Sequence, residues 1–158
     1  MTKIQDMSRT QRQSWLVLLA DGAVFFWLWQ KMTTGLSPVP IAYDMNEFGK
    51  IILSAVALTV VLHVIISTIF ELSAKDEKGG RDERDDLIER RGAFWGYRIL
   101  QTGIGIVVVG MFLAAISGEG VPNFYTISTP VQIIFALMVT SYVADLVKHG
   151  VMIHGYGR

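Results

Sequence analysis

The chain alternates between long apolar runs and short polar segments, and the runs are long enough to cross a lipid bilayer. After Lys50 it reads IILSAVALTVVLHVIISTIF, twenty residues whose one ionisable side chain is His63. A helix rises about 1.5 Å per residue, so this run covers the ~30 Å hydrocarbon core of a membrane. Such runs predict four transmembrane helices, at about Trp15–Met32, Lys50–Leu72, Ala93–Ser117 and Pro130–Met152.

The pattern predicts an all-α fold, an integral membrane four-helix bundle of two helical hairpins in which residues 1–158 form a single transmembrane domain. The first and third connections, residues 33–49 and 118–129, contain no Lys or Arg, whereas the N-terminal tail and the charged loop 73–92 contain many. Because basic residues stay on the cytoplasmic side, both termini and the charged loop are predicted to be cytoplasmic. The predicted location is the inner membrane, as a multi-pass protein.

Composition removes several classes of function. The fourteen basic and fourteen acidic residues cancel, which gives no electrostatic reason to expect nucleic-acid binding. The chain has no cysteine, so disulfides, thiol catalysis and thiolate metal clusters are excluded. We find no nucleophile–base arrangement, glycine-rich phosphate loop or metal-ligand motif, and therefore predict a non-enzymatic protein with no metal site.

Four charged residues fall inside or at the ends of the predicted spans: Asp21, Glu71, Arg98 and Asp145. A charge inside a bilayer is costly and normally faces a partner or water. We expect these residues to form an intramembrane polar network at similar depth in the cytoplasmic half, with Arg98 pairing with Asp21 or Asp145. The network is either a structural link between helices or a proton or cation site; alternatively, the groups at the helix ends extend to water.

His63 lies near the middle of the second predicted span. It is expected to hydrogen-bond a neighbouring helix, to serve as a proton site, or to ligate haem with another chain. His149 and His154 are predicted to lie too near the inner end of the fourth helix to reach His63. Their spacing of five residues does not place two metal ligands on one helix face.

The third predicted helix is rich in glycine. Small residues let helix backbones approach closely in a membrane, where no hydrophobic force drives association. This face is expected to pack either inside the bundle or against another copy or partner subunit. Its helix-packing residues are Gly92, Gly96, Gly103, Gly105 and Gly110.

The charged loop ends in a segment with helical signals. Acidic residues from Asp82 onwards precede basic ones, as the helix macrodipole favours, and no proline interrupts the chain before Ala93. The segment is therefore expected to continue into the third helix and to project ~15–18 Å into the cytoplasm. It is either a solvated turn or a docking element for a partner, whose residues would be Arg84, Asp85, Leu87, Ile88 and Arg90.

The sequence DERDDLIE at residues 82–89, followed by FWGYRIL at 94–100, resembles a family of small bacterial and archaeal membrane proteins marked by a DERD segment before a transmembrane helix. The resemblance covers about twenty residues and the four-helix layout. Gly92 and Trp95 depart from the basic and small residues usual after the motif. Because some members are encoded beside helix-turn-helix regulators, the resemblance implies a regulatory or immunity-type role, without a mechanism.

Three functions remain open on the sequence. The first is a non-enzymatic accessory or regulatory subunit, or homo-oligomer, that docks partner proteins through the charged loop and the glycine-rich helix. The second is a small ion- or proton-coupled transporter or channel using Asp21, His63 and Asp145. The third is a membrane subunit of a redox complex that binds haem, quinone or lipid. No cofactor is required by the sequence, although bound lipid is expected. The expected partners are membrane lipid, other membrane subunits or a second copy, and a cytoplasmic protein.

Overall fold

The computed structural model describes residues 7–35, 40–41, 44–74, 83–116 and 127–157. Within these ranges the chain forms four helices: α1 (Arg9–Met32), α2 (Met45–Ala74), α3 (Glu83–Ile116) and α4 (Pro130–Tyr156). The prediction of an all-helical protein is confirmed. The helices α2, α3 and α4 are long and apolar enough to cross a membrane, which makes this a helical protein of membrane type. Helix α1, which runs unbroken and contains Arg9, Arg12, Asp21 and Lys31, is not among these three.

Local sequence explains where two of the helices begin. The hydroxyl of Ser8 accepts a hydrogen bond from the backbone N–H of Gln11 at 3.2 Å and so caps α1. Helix α4 begins with a reciprocal capping box, in which Thr129 and Gln132 each accept a backbone N–H of the other. Pro130 occupies the first turn, where its missing N–H costs no helical hydrogen bond.

The charged segment belongs to α3. This helix runs without a break for 34 residues from Glu83 to Ile116, and its first turn is acidic. The expectation that the segment continues into the third helix is therefore confirmed. The loop predicted at 73–92 is wrong at both ends, because residues 73–74 belong to α2 and 83–92 to α3. Residues 75–82 and Ser117 lie outside the described residues.

The helices pack in the spatial order α2, α1, α4, α3. The closest packing joins α3 to α4, followed by α1 to α4 and α1 to α2. Ser14 near the start of α1 contacts Met152 near the end of α4, with 4.0 Å between Oγ and Sδ. Gly92 near the start of α3 meets the same methionine. The first turns of α1 and α3 and the last turns of α4 therefore lie on one side of the molecule.

A hydrophobic core fills the opposite half of the space between α1, α2 and α4. Its buried members are Val24, Leu28, Met32, Phe48, Ala55, Phe135 and Tyr142. Aromatic rings tie α1 to α4, with centroids 5.9 Å apart for Phe25 and Tyr142 and 6.0 Å apart for Trp29 and Phe135. This apolar half closes the assembly directly above the polar groups described next.

Candidate functional site

A buried carboxylate of α1 is hydrogen-bonded to the central histidine of α2. The distance from Asp21 Oδ1 to His63 Nε2 is 2.8 Å, and the exposed fractions of the two side chains are 2 % and 39 %. The second oxygen, Oδ2 of Asp21, is buried without a hydrogen-bond partner among the described residues. A buried acceptor left unpaired is costly, so this oxygen is a ready position for a proton or a cation.

The pairing follows from where the helices begin and end. Asp21 lies twelve residues after Arg9, the start of α1, and His63 lies eleven residues before Ala74, the end of α2. Since the two helices run in opposite directions from the same side, both side chains reach the same depth, about 17 Å from those ends. The sequence-based boundaries had placed α1 too short at its start and α2 too short at both ends. With those boundaries, Asp21 and His63 did not lie at the same depth.

Asp145 of α4 completes a layer at this depth. It lies eleven residues before the end of α4 at Tyr156. It is partly buried and near enough to Asp21 and His63 for their charges to interact. Asp145 also borders a crevice of about 160 Å³ between α2 and α4. Three charged or chargeable groups from three helices thus meet in one layer.

A second hydrogen bond between helices lies about one turn from Asp21, His63 and Asp145, on the side of the hydrophobic core. Thr59 Oγ1 of α2 and the hydroxyl of Tyr142 of α4 are 2.6 Å apart, and either oxygen can donate. Both residues line the crevice that Asp145 borders. We call Asp21, Thr59, His63, Tyr142 and Asp145 the polar layer.

His149 extends the polar layer towards the helix ends. It follows Asp145 by four residues on α4 and therefore shares its face. Its Nδ1 atom is buried with no hydrogen-bond partner among the described residues, and its ring is near enough to His63 for an electrostatic interaction. His149 lies seven residues before the end of α4, about one turn nearer that end than Asp145. That His149 does not reach the depth of His63 stays a prediction.

The polar layer is suited to holding protons. Its two carboxylates and its imidazole can take up and release protons, and its two hydroxyls can donate and accept hydrogen bonds. Within the described ranges, no three His, Cys, Asp or Glu side chains are arranged to hold a metal ion. A haem iron at His63 Nε2 would have to displace the hydrogen bond from Asp21.

Arg98 and Glu71 lie apart from the polar layer. The guanidinium carbon of Arg98 sits 5.2 Å from the centre of the Phe94 ring, one turn back along α3, so the expected pairing with Asp21 or Asp145 does not form. The reason is rotational, because Gly96 faces α4 and a residue two positions later points to nearly the opposite side of a helix. Glu71 is exposed on α2.

The glycines of α3 make a close seam with α4. A Cβ atom on Gly92 would lie 2.9 Å from the carbonyl oxygen of Lys148, and one on Gly96 would lie 3.2 Å from that of Ala144. A Cβ on Gly103 would overlap Thr140, whereas one on Gly105 would meet nothing within 4 Å. Gly110 packs similarly against Ile127. The sequence left open whether these glycines pack inside the molecule or against another chain. All of them except Gly105 pack inside the molecule.

The predicted docking residues differ in exposure. Leu87 is 68 % exposed, whereas Ile88 is 9 % exposed and packs where a Cβ on Gly155 would lie 3.2 Å from its side chain. Ile88 is therefore an internal contact that holds the charged part of α3 against α4. Arg84 and Arg90 are exposed, and Asp85 lies beside Tyr156 of α4.

Sequence reasoning missed Thr59, Tyr142 and His149, although a signal was present. Thr59 and His63 are four residues apart, which places them on one face of α2. Tyr142, Asp145 and His149 are spaced by three and four residues, which places them on one face of α4. A search for polar residues at helical spacing inside apolar runs would have found both faces.

No protein-family model, curated protein or solved structure matches this chain. The resemblance to membrane proteins with a DERD segment stays a prediction.

Proposed function

We propose that this protein is a small proton-coupled membrane transporter whose proton site is the Asp21–His63 pair, with Asp145 beside it. The observation that carries the proposal is the 2.8 Å hydrogen bond between a buried carboxylate and a half-open imidazole. Ionisable side chains placed inside apolar helices are costly, and they mark ion and proton pathways by default. A purely structural link would not need an unpaired buried oxygen such as Asp21 Oδ2.

The net charge of the Asp21–His63 pair explains why it would take up and release a proton in turn. With one proton shared across the hydrogen bond, an ionised Asp21 and a neutral His63 carry a net charge of −1. A second proton makes the pair neutral, either as carboxylate with imidazolium or as carboxylic acid with imidazole. Neutral pairs are cheaper to hold in a low-dielectric interior than charged ones. His63, with its partly exposed side chain, is the entry point for the proton.

The packing of α2 offers a way to couple this proton to movement. Helix α2 packs chiefly on α1, and the crevice between α2 and α4 beside Asp145 measures about 160 Å³. Closing or widening this crevice would change which side of the membrane reaches the polar layer. The apolar core between α1, α2 and α4 fills the space on the far side of the polar layer.

The distribution of basic residues supports an orientation with both termini in the cytoplasm of a cell whose inner membrane holds the protein. In that orientation the polar layer is reached from the cytoplasm. After α2 has moved, the proton is expected to be released on the outer side of the membrane.

Proteoliposomes containing a pH-sensitive dye test the proposal. We expect an imposed potential to drive proton flux through the wild-type protein, and Asp21→Asn to reduce that flux at least tenfold. Asparagine keeps the size and the hydrogen-bond acceptor of Asp21 but cannot exchange a proton. Infrared difference spectra should also show a carboxylic-acid carbonyl band that disappears in this variant.

Glu71→Gln is the matched control, since it makes the same chemical change at an exposed carboxylate on α2, outside the polar layer. Equal flux in Asp21→Asn, Glu71→Gln and wild type would overturn the proposal. Circular dichroism and size-exclusion profiles establish that each variant is folded.

The accessory-subunit and redox functions stay predictions. Burial of Ile88 leaves Leu87 as the apolar docking contact of the charged segment. A visible haem spectrum in protein purified from a native membrane would favour the redox function. A co-purifying partner chain would favour the accessory function.

A further inference from the structure

A groove lies between the charged part of α3 and the last turns of α4, well away from the polar layer. Its volume is about 500 Å³, and its wall on α3 includes Arg84, Leu87, Arg91 and Trp95. We propose that this groove binds one anionic phospholipid, with the phosphate between the two arginines and an acyl chain along the apolar wall. The proposal does not depend on proton transport.

Charge segregation around α3 supports an anionic ligand. Residues 84, 87, 88, 91 and 95 follow one face at helical spacing, and all of them line the groove. The acidic residues of the same segment fall on the other faces of the helix: Glu83, Asp85, Asp86 and Glu89. Of the described residues that line the groove, none is a carboxylate. His154 of α4 adds an imidazole to the two guanidinium groups.

The position of the groove supports a lipid rather than a free anion. Trp95 is 46 % exposed and lies where the charged segment of α3 passes into its apolar run. Tryptophan is enriched where the headgroup region meets the hydrocarbon. From Trp95 to Arg84 the helix rises about 16 Å, which spans a phospholipid headgroup and the start of its chains. Basic pockets between helices at this boundary are typical headgroup sites.

The wall on α4 leaves room for the ligand. Gly150 lines the groove, and a Cβ atom built on it would meet nothing within 4 Å. Val151 beside it supplies apolar surface. A larger side chain at position 150 would therefore occupy the groove without disturbing the interior of the molecule.

Native mass spectrometry of the detergent-purified chain, titrated with phosphatidylglycerol or phosphatidylcholine, tests the proposal. We expect wild type to retain phosphatidylglycerol in preference. Replacing both Arg84 and Arg91 by glutamine should reduce that preference about 30-fold. Each arginine near an anionic headgroup contributes about 1 kcal/mol, and two such contributions correspond to that ratio of affinities. Arg98→Gln, which removes an arginine outside the groove, should leave the preference unchanged.

Filling the groove with a larger side chain gives an independent test of the proposal. Gly150→Leu should abolish the preference, whereas Gly105→Leu should not, because Gly105 is an equally open helical glycine away from the groove. Inorganic phosphate at millimolar concentration should not displace the lipid, since the acyl contacts would be missing.

Four results would overturn the proposal. The first is equal retention of the two lipids by wild type. The second is equal loss of preference in the Arg98→Gln variant. The third is full displacement by phosphate, which would make the groove a simple anion site. Loss of a co-purifying protein from the double arginine variant, with its lipid preference intact, would likewise overturn it in favour of a protein partner.

Discussion

The two interfaces of α4 use opposite means of association. Towards α3, carbonyl oxygens of α4 would touch a Cβ added at Gly92 or Gly96, and the side chain of Thr140 would touch one added at Gly103. Towards α1 and α2, it presents the hydroxyl of Tyr142 and the carboxylate of Asp145 beside an open crevice. Helix α4 therefore has one tightly packed face towards α3 and one polar face, shared with α1 and α2, that borders open space.

The largest effect should come from breaking the glycine seam. Gly92→Leu would force a side chain against the carbonyl oxygen of Lys148, where the backbone cannot yield cheaply. We expect the free energy of unfolding to fall by about 3 kcal/mol, as overpacking does in a filled interface. Denaturant titration in one detergent measures it. Gly105→Leu is the control, and an equal loss there would show that the seam is not special.

Removing the carboxylate from the polar layer should cost somewhat less. Asp21→Ala leaves His63 Nε2 without its buried partner, and we expect a loss of about 1–3 kcal/mol in the same titration. Asp21→Asn retains an acceptor and should lose less than half as much. If both variants were as stable as wild type, the pair would not contribute to helix association.

A double-mutant cycle can separate the second hydrogen bond of the polar layer from simple packing. Thr59→Val and Tyr142→Phe each remove one hydroxyl of the 2.6 Å contact while conserving shape. Hydrogen bonds between membrane helices couple by about 0.6 kcal/mol on average, and we expect that value here. Additive single-variant effects would mean that the two hydroxyls do not interact.

An effect of similarly small size should distinguish two glycines near the end of α4. Gly150→Ala places a methyl group in open space and should stabilise the protein by about 0.5–1 kcal/mol through helix propensity. Gly155→Ala places it 3.2 Å from Ile88, so this gain should be lost. Thermal unfolding midpoints followed by circular dichroism compare the two. A higher midpoint for Gly155→Ala would contradict the close contact.

Much of the helical content was accessible from the sequence. Long apolar runs specify helices whatever their neighbours, and the acidic first turn with no following proline correctly indicated that α3 begins before Ala93. The boundaries were less accessible, because polar residues such as Arg9, Asn46 and Glu47 are compatible with either a helix end or a connection. This uncertainty moved the apparent depth of Asp21 by between one and two turns and that of His63 by less than one turn.

The sequence by itself determined the number of helices, their apolar character and the similar depth of Asp21 and Asp145, because these properties follow from local composition and helical rise. Only the tertiary structure decided that Asp21 meets His63, that Arg98 turns away, and that Gly92, Gly96 and Gly103 face α4 while Gly105 does not. The rotation of a helix about its axis is set by the sum of its contacts with its neighbours. No single helix sequence contains that sum.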